Sequence, residues 1–253
     1  MTWRRRIPLG LPLVIFVWWL MGPLGLTHPI FFPDVLDVGV ALIREIGDLT
    51  VWWDVFATSY RALIGLLISF VVGVPIGLLL GKLPVLYKHF SLPLDFVRSV
   101  PAATLFPLFI LLFGIGNLSK IAVVVYGCVF ILIVAAIYGA RATPDNDPRI
   151  LALHCFRASK LQIYRYVVIP VAVENILSGL RIATSVAFVL VVITEMFLGA
   201  NDGLGKRIYD MYLAYRVPEM YAQLVLLGLL GFVANRAVEC CETAYKRHVG
   251  TLS

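Results

Sequence analysis

Residues 151–170 read L-A-L-H-C-F-R-A-S-K-L-Q-I-Y-R-Y-V-V-I-P, and they lie between two long apolar runs. The stretch is basic, polar and compatible with helix, in a chain that is otherwise mostly apolar. Loops rich in Lys and Arg stay on the cytoplasmic side of a membrane. The stretch therefore reads as an inner loop of a membrane protein, and its amphipathic pattern predicts a docking surface for a soluble partner. That placement describes a membrane subunit driven by something else.

The rest of the chain agrees. Of 253 residues, 60% are hydrophobic and 14% charged, with a mean hydropathy of +0.92, far from a soluble domain. At roughly 20 residues per crossing there is room for about six spans with their loops. A net charge of +6 would suit nucleic acid only if it formed one stripe. Instead the basic residues gather in alternate loops, which argues against a nucleic-acid partner. Cys128, Cys155, Cys240 and Cys241 fit neither a disulfide framework nor a zinc spacing. Arg4, Arg5 and Arg6 before an apolar run look like the start of a signal peptide, but no small-residue cleavage site follows. An uncleaved first span starting in the cytoplasm is expected.

Hydropathy places the spans at residues 11–26, 55–80, 102–113, 121–140, 176–198 and 221–238. Lys82, Lys88, His89 and Arg98 mark one inner loop, and residues 141–170 form the long one. Val38, Leu42, Ile46 and Leu49 predict a short amphipathic helix on the outer surface. Residues 201–205, N-D-G-L-G, form a turn, and Ile208, Met211, Tyr212 and Tyr215 after it have helical spacing. The chain divides into a first helix with its outer segment, residues 1–54, and a core of about five spans, residues 55–253. The fold class is an all-α integral membrane protein with both termini cytoplasmic.

Gly65, Gly73, Gly77 and Gly81 share one face of the second span, where small residues let helix backbones approach closely in lipid. The run G-L-L-L-G-K at 77–82 is not a phosphate loop, because a Walker motif has four residues between its glycines and Ser or Thr after the Lys. ATP, if it is used, binds elsewhere. Pro75, Pro101 and Pro107 interrupt the helical ladder in or beside spans two and three. Glu195 is an ionisable residue inside a span, a functional candidate by default; Arg61 lies at similar depth, so an ion pair between them is the leading reading. Thr104, Tyr126, Thr184 and Ser185 offer hydrogen-bonding groups that would face a passage together with Glu195. No catalytic or metal-ligating constellation is visible.

At this point the residues resemble a known family. The long inner loop follows the spacing of the E-A-A-x3-G-x9-I-x-L-P motif in permease subunits of bacterial ABC importers, with Ala152, Val167, Ile169 and Pro170 fitting it. The segments S-Y-R-A-L-I-G at 59–65, G-V-P-I-G-L-L-L-G at 73–81, F-G-I-G at 113–116, S-G-L-R at 178–181 and G-L-G at 203–205 resemble the nitrate/sulfonate/taurine/bicarbonate branch. The resemblance implies a type I importer permease of the bacterial inner membrane, paired with a second copy or a paralogue. It implies two ABC ATPase subunits that bind ATP and Mg, and an extracytoplasmic solute-binding protein. The chain itself would hold no cofactor and perform no covalent chemistry. A nitrate-, sulfonate-, taurine- or bicarbonate-like anion is the expected cargo; a heterocyclic vitamin precursor is the alternative, and an ATP-independent secondary transporter the rival class.

The same resemblance makes Leu151, Ala152, Phe156, Arg157, Ala158, Ser159, Lys160, Leu161 and Ile163 the ATPase-coupling loop, with Phe156, Leu161 and Ile163 as apolar anchors. Leu151 stands where the motif has Glu, Leu153 at its second Ala and Arg157 at its Gly. A side chain at 157 resists the left-handed backbone, which predicts a wider or continuously helical turn.

Overall fold

The computed structural model describes residues 10–21, 31–144, 146–197 and 200–249. Every regular element among them is helical. In chain order these are α1 Gly10–Met21, α2 Val35–Gly47, α3 Leu49–Lys82, α4 Pro84–Arg98, α5 Phe106–Phe113 and α6 Asn117–Arg141. They continue with α7 Pro148–Cys155, α8 Lys160–Ile163, α9 Ile169–Met196, α10 Leu204–Leu213 and α11 Val217–Val249.

Four helical runs are long and apolar enough to cross a bilayer: α3, α6, α8 continuing into α9, and α11. A fifth is broken, with α4 meeting the helical stretch Ala102–Phe113 at a bend of 77°. α1 is apolar but has 12 residues; Arg4 to Arg6 before it and Thr27, His28 and Pro29 after it lie outside the described residues, as does Gly199. The expected inner loop from Lys82 to Arg98 is instead α4. Pro84 occupies its first turn, where a proline's fixed φ and missing N–H are favourable, and Pro101 ends the run three residues past Arg98. The expected division at residue 54 falls inside α3, which is continuous from Leu49.

The centre of the bundle is the parallel pair α3 and α6. A Cβ at Gly73 would stand 2.9 Å from the Val129 carbonyl oxygen, one at Gly81 3.0 Å from the Ile137 carbonyl oxygen, and one at Gly77 2.6 Å from Ala136 Cβ and against the Ile133 carbonyl. Their glycine face is therefore occupied by the α6 backbone itself. Lipid gives no hydrophobic drive between helices, so this contact rests on close packing. Pro75 sits on the opposite face, exposed, and α3 passes it without ending.

α9 packs antiparallel to α6, with Ala183, Ala187 and Val191 against Val123, Val124, Cys128 and Leu132 in one buried cluster. Just before α9, residues Tyr164–Val168 widen into a π-helical stretch. Pro170 explains it: the ring has no N–H and collides with the carbonyl four residues back, at Tyr166. On α2 the buried face is Val38, Ala41 and Glu45. Ile46 and Leu49, expected on that face, are exposed.

Candidate functional site

Where α6 begins and α9 ends, beside the first half of α3, four helices are joined by buried charge. Arg61 is 3% exposed and Glu195 1%, and Arg61 Nη1 donates to Glu195 Oε1 at 2.6 Å. Arg61 also pairs with the Asp202 carboxylate and donates through Nε to Asn117 Oδ1 at 2.8 Å. The other Glu195 oxygen accepts from Thr58 Oγ1 at 2.9 Å and from the Gly205 amide at 3.0 Å. Gly205 lies in the first turn of α10, where helix N–H groups favour a carboxylate. A carboxylate buried in lipid costs several kcal/mol unless it is this fully paired. Gly203 makes the geometry possible. It has φ +114, and a Cβ there would stand 2.5 Å from the Glu195 oxygens.

Beside this clamp, Arg207 of α10 reaches Glu45 at 3.2 Å, Asp48 at 2.8 Å and Asp54 at 3.1 Å. Gln223 of α11 donates to Glu45 at 2.6 Å. The expected outer helix α10 is therefore tied to α2, α3 and α9. Its Ile208 and Met211 are buried, while Tyr212 and Tyr215 are exposed.

A cleft of about 900 Å³ opens between the α4–α5 junction, α6 and α9. Its polar wall is made by Arg98, Ser99, Tyr126, Tyr138, Asn175 and Ser178, and the remainder is apolar. No group of three or more His, Cys, Asp or Glu side chains is placed to hold a metal ion among the described residues.

At the far end of the bundle, α7 and α8 form a hairpin. Asp147 caps α7 by accepting from the Arg149 amide at 2.9 Å; the Arg149 side chain and that amide hold the Asp147 carboxyl down to about 2, so the cap is charged near neutral pH. Ser159 and Gln162 form a capping box at α8. Ile150, Ile163 and Val167 make a small core between the two helices, with Leu153 and Ala158 packed on it.

The family described as binding-protein-dependent transport system inner membrane component matches residues 73–247. The chain belongs to this family. It is an ABC importer permease. A putative ABC transporter permease protein of Methanocaldococcus jannaschii is 28% identical over 94% of this chain and 90% of its own length. The taurine transport system permease protein of Escherichia coli is 27% identical over 96% and 91%, and a nitrate import permease protein of Synechocystis is 26% identical over 86% and 76%. The inward-facing MetNI methionine ABC transporter shares the fold at a TM-score of 0.68 and 23% identity, over 78% of this chain and 96% of that one. The permease thus has the type I architecture.

Of the passage candidates in this permease, Tyr126 lines the cleft and the other four do not. Thr104 donates back to Pro101 O at 2.7 Å, and Thr184 to Leu180 O at 2.8 Å. Ser185 accepts from Asn235 at 2.9 Å, and Glu195 is consumed by the clamp. Apolar helices let Ser and Thr satisfy themselves on their own backbone, so a hydroxyl alone is a poor marker of a passage. Arg98, Asn175 and Ser178 line the cleft without having been singled out for it. Arg181, also inside span five, pairs with Glu239 of α11 at 3.0 Å.

In the hairpin, Leu151, Ala152, Phe156, Arg157, Lys160 and Leu161 are exposed. Ile163 is 8% exposed and belongs to the hairpin's own core, so the permease has no free anchor there. The turn is not widened. Arg157 takes φ +53, with the Arg157 amide bonded to His154 O at 2.9 Å and the Ala158 amide to Leu153 O at 3.0 Å. These are the two bonds of a Schellman motif, closed by the contact of Leu153 and Ala158 with the Ile150–Ile163–Val167 core. The bonds and the contact outweigh the roughly 1 kcal/mol by which a side chain disfavours this backbone. Arg157→Gly is accordingly expected to stabilise the hairpin by about 1 kcal/mol, slowing amide exchange in α7 by roughly fivefold. Unchanged or faster exchange would show that Arg157 makes a compensating contact.

Proposed function

We propose that this permease forms half of a passage carrying a small anion across the inner membrane, driven by ATPase subunits docked on the α7–α8 hairpin. The hairpin is the observation that carries the reading. Leu151, Phe156 and Leu161, exposed by 50%, 84% and 79%, ride on a turn fixed by two caps and a Schellman motif, at the end of the bundle opposite the clamp. Apolar side chains held rigidly in solvent fit a protein partner, and Arg157 and Lys160 give them a basic rim.

Two such permeases, identical or paralogous, would enclose the passage, with the cleft as part of its wall. Two ATPase subunits would bind ATP and Mg, and their closure would pull the hairpins and switch the passage between its inward and outward openings. An extracytoplasmic binding protein would deliver a nitrate-, sulfonate-, taurine- or bicarbonate-like anion; the cargoes named for the taurine and nitrate relatives support that class. The end of α11 bonds back to Pro170 through the Tyr245 hydroxyl at 2.9 Å. This puts both beside the hairpin and supports a cytoplasmic C-terminus.

The test is Phe156→Ala combined with Lys160→Glu in the purified transporter. Loss of one apolar anchor, of the kind worth about 2 kcal/mol at interface centres, with reversal of a rim charge, is expected to lower ATPase retention at least tenfold. The thermal midpoint of the permease should stay unchanged. Full retention with full substrate-stimulated ATP hydrolysis would move the contact elsewhere.

A further inference from the structure

Arg98 ends α4 at the break in the bent span, and the break is set deep in the bundle. Tyr126 of α6 donates its hydroxyl to the Val97 carbonyl, and a Cβ at Gly127 would stand 3.2 Å from Ala102. Arg98 therefore lies level with Tyr126 and Gly127, well inside α6, whose ends are Asn117 and Arg141. A guanidinium at that depth is expensive unless it is paired or faces a wet cavity. Arg98 does both. One Nη reaches Asp95 at 2.9 Å, and the side chain is 50% exposed. Its other N–H groups have no partner among the described residues.

The two charges of this pair point to different spaces. Asp95 borders a recess of about 80 Å³ but not the large cleft. Arg98 borders both, and among the described residues it is the one charged side chain on the cleft wall. An ion in the cleft meets the positive end of the pair, and Asn175 and Ser178 of α9 line the same cleft further along α6. The recess shares Arg98, Phe130 and Tyr138 with the cleft and runs on to Arg141, whose guanidinium is held over the Tyr87 ring at 3.8 Å.

We propose that Arg98 is the charge-selecting residue of the passage, admitting anions and excluding cations at the break of the α4–α5 span, with Asp95 setting the strength of its field. This rests on the reading of the cleft as part of the passage. Arg fits the role because its fork stays charged at every accessible pH and presents several donors to one oxyanion.

The test probes the electrostatics without needing the cargo. Ser178→Cys is introduced in a chain whose exposed cysteines Cys155, Cys240 and Cys241 are replaced by Ser. The transporter complex is then reacted with anionic sulfonatoethyl, cationic trimethylammonioethyl and neutral methyl methanethiosulfonates. The anion-to-cation rate ratio is expected to fall roughly tenfold on Arg98→Gln, to survive Arg98→Lys and to rise on Asp95→Asn. The neutral reagent should react at a constant rate throughout. A ratio indifferent to both Arg98→Gln and Asp95→Asn overturns the role of Arg98 while leaving the passage intact. Failure of the neutral reagent to reach Cys at 178 overturns the passage reading beneath it.

Discussion

Arg61→Met is expected to destabilise the folded permease by about 3–5 kcal/mol, the usual result of removing one partner from a buried ion pair. The substitution keeps the length of the side chain and removes the charge, leaving Glu195 at 1% exposure with only Thr58 and the Gly205 amide as donors. Asp202, more exposed, would turn toward water. Arg61→Met combined with Glu195→Leu removes both charges and is expected to recover more than half of the loss, because two apolar side chains can share the space. Thermal unfolding followed by size-exclusion chromatography in detergent would measure this, with recovered yield as the readout if the single variant does not accumulate. A double variant no better than the single would mean that the clamp acts through Asp202 or Asn117 rather than through the Arg61–Glu195 pair.

Gly77→Leu should be nearly as damaging. The first atom of any side chain at 77 meets the Ile133 carbonyl and lies 2.6 Å from Ala136 Cβ. A backbone carbonyl cannot swing aside as a side-chain tip does, so α3 and α6 must separate. Overpacking of this kind costs about 3 kcal/mol, and here the loss would spread along the pair from Gly73 to Gly81. Gly228 on α11 supplies the comparison, since nothing lies within 4 Å of a Cβ there. Gly228→Leu is expected to leave the thermal midpoint of the bundle unchanged. Equal midpoints for the two variants would remove close α3–α6 packing as the basis of the fold.

The features legible in the sequence were those with a periodic or energetic signature. The glycine spacing on α3 announced the α6 contact because only small residues at that period permit it. Arg61 and Glu195 announced each other because neither is tolerated alone at their depth. Other features had no such mark. Asp202 reads as a turn residue, and nothing local says that it folds back onto Arg61. Lys82, Lys88, His89 and Arg98 made α4 read as a loop, because hydropathy averages over a helix and misses one that buries no residue and so carries its charges exposed. Arg157 was misjudged for the opposite reason: a local preference of about 1 kcal/mol was set against tertiary contacts that a sequence pattern does not display. Pro101 and Pro107 marked the third span as unusual, and its 77° bend lies at residues 99–101, the break that Pro101 closes.

The Arg61–Glu195 pair joins residues 134 positions apart. A ribosome adding residues one at a time therefore delivers Arg61 to the membrane well before α9 and α10 exist, and for that interval nascent α3 carries a guanidinium without its carboxylates. Insertion of that helix is provisional until the C-terminal third arrives. A chain truncated before Glu195 would present the quality-control machinery with an unneutralised charge in lipid, so release and proteolysis of such fragments are built into the order of synthesis.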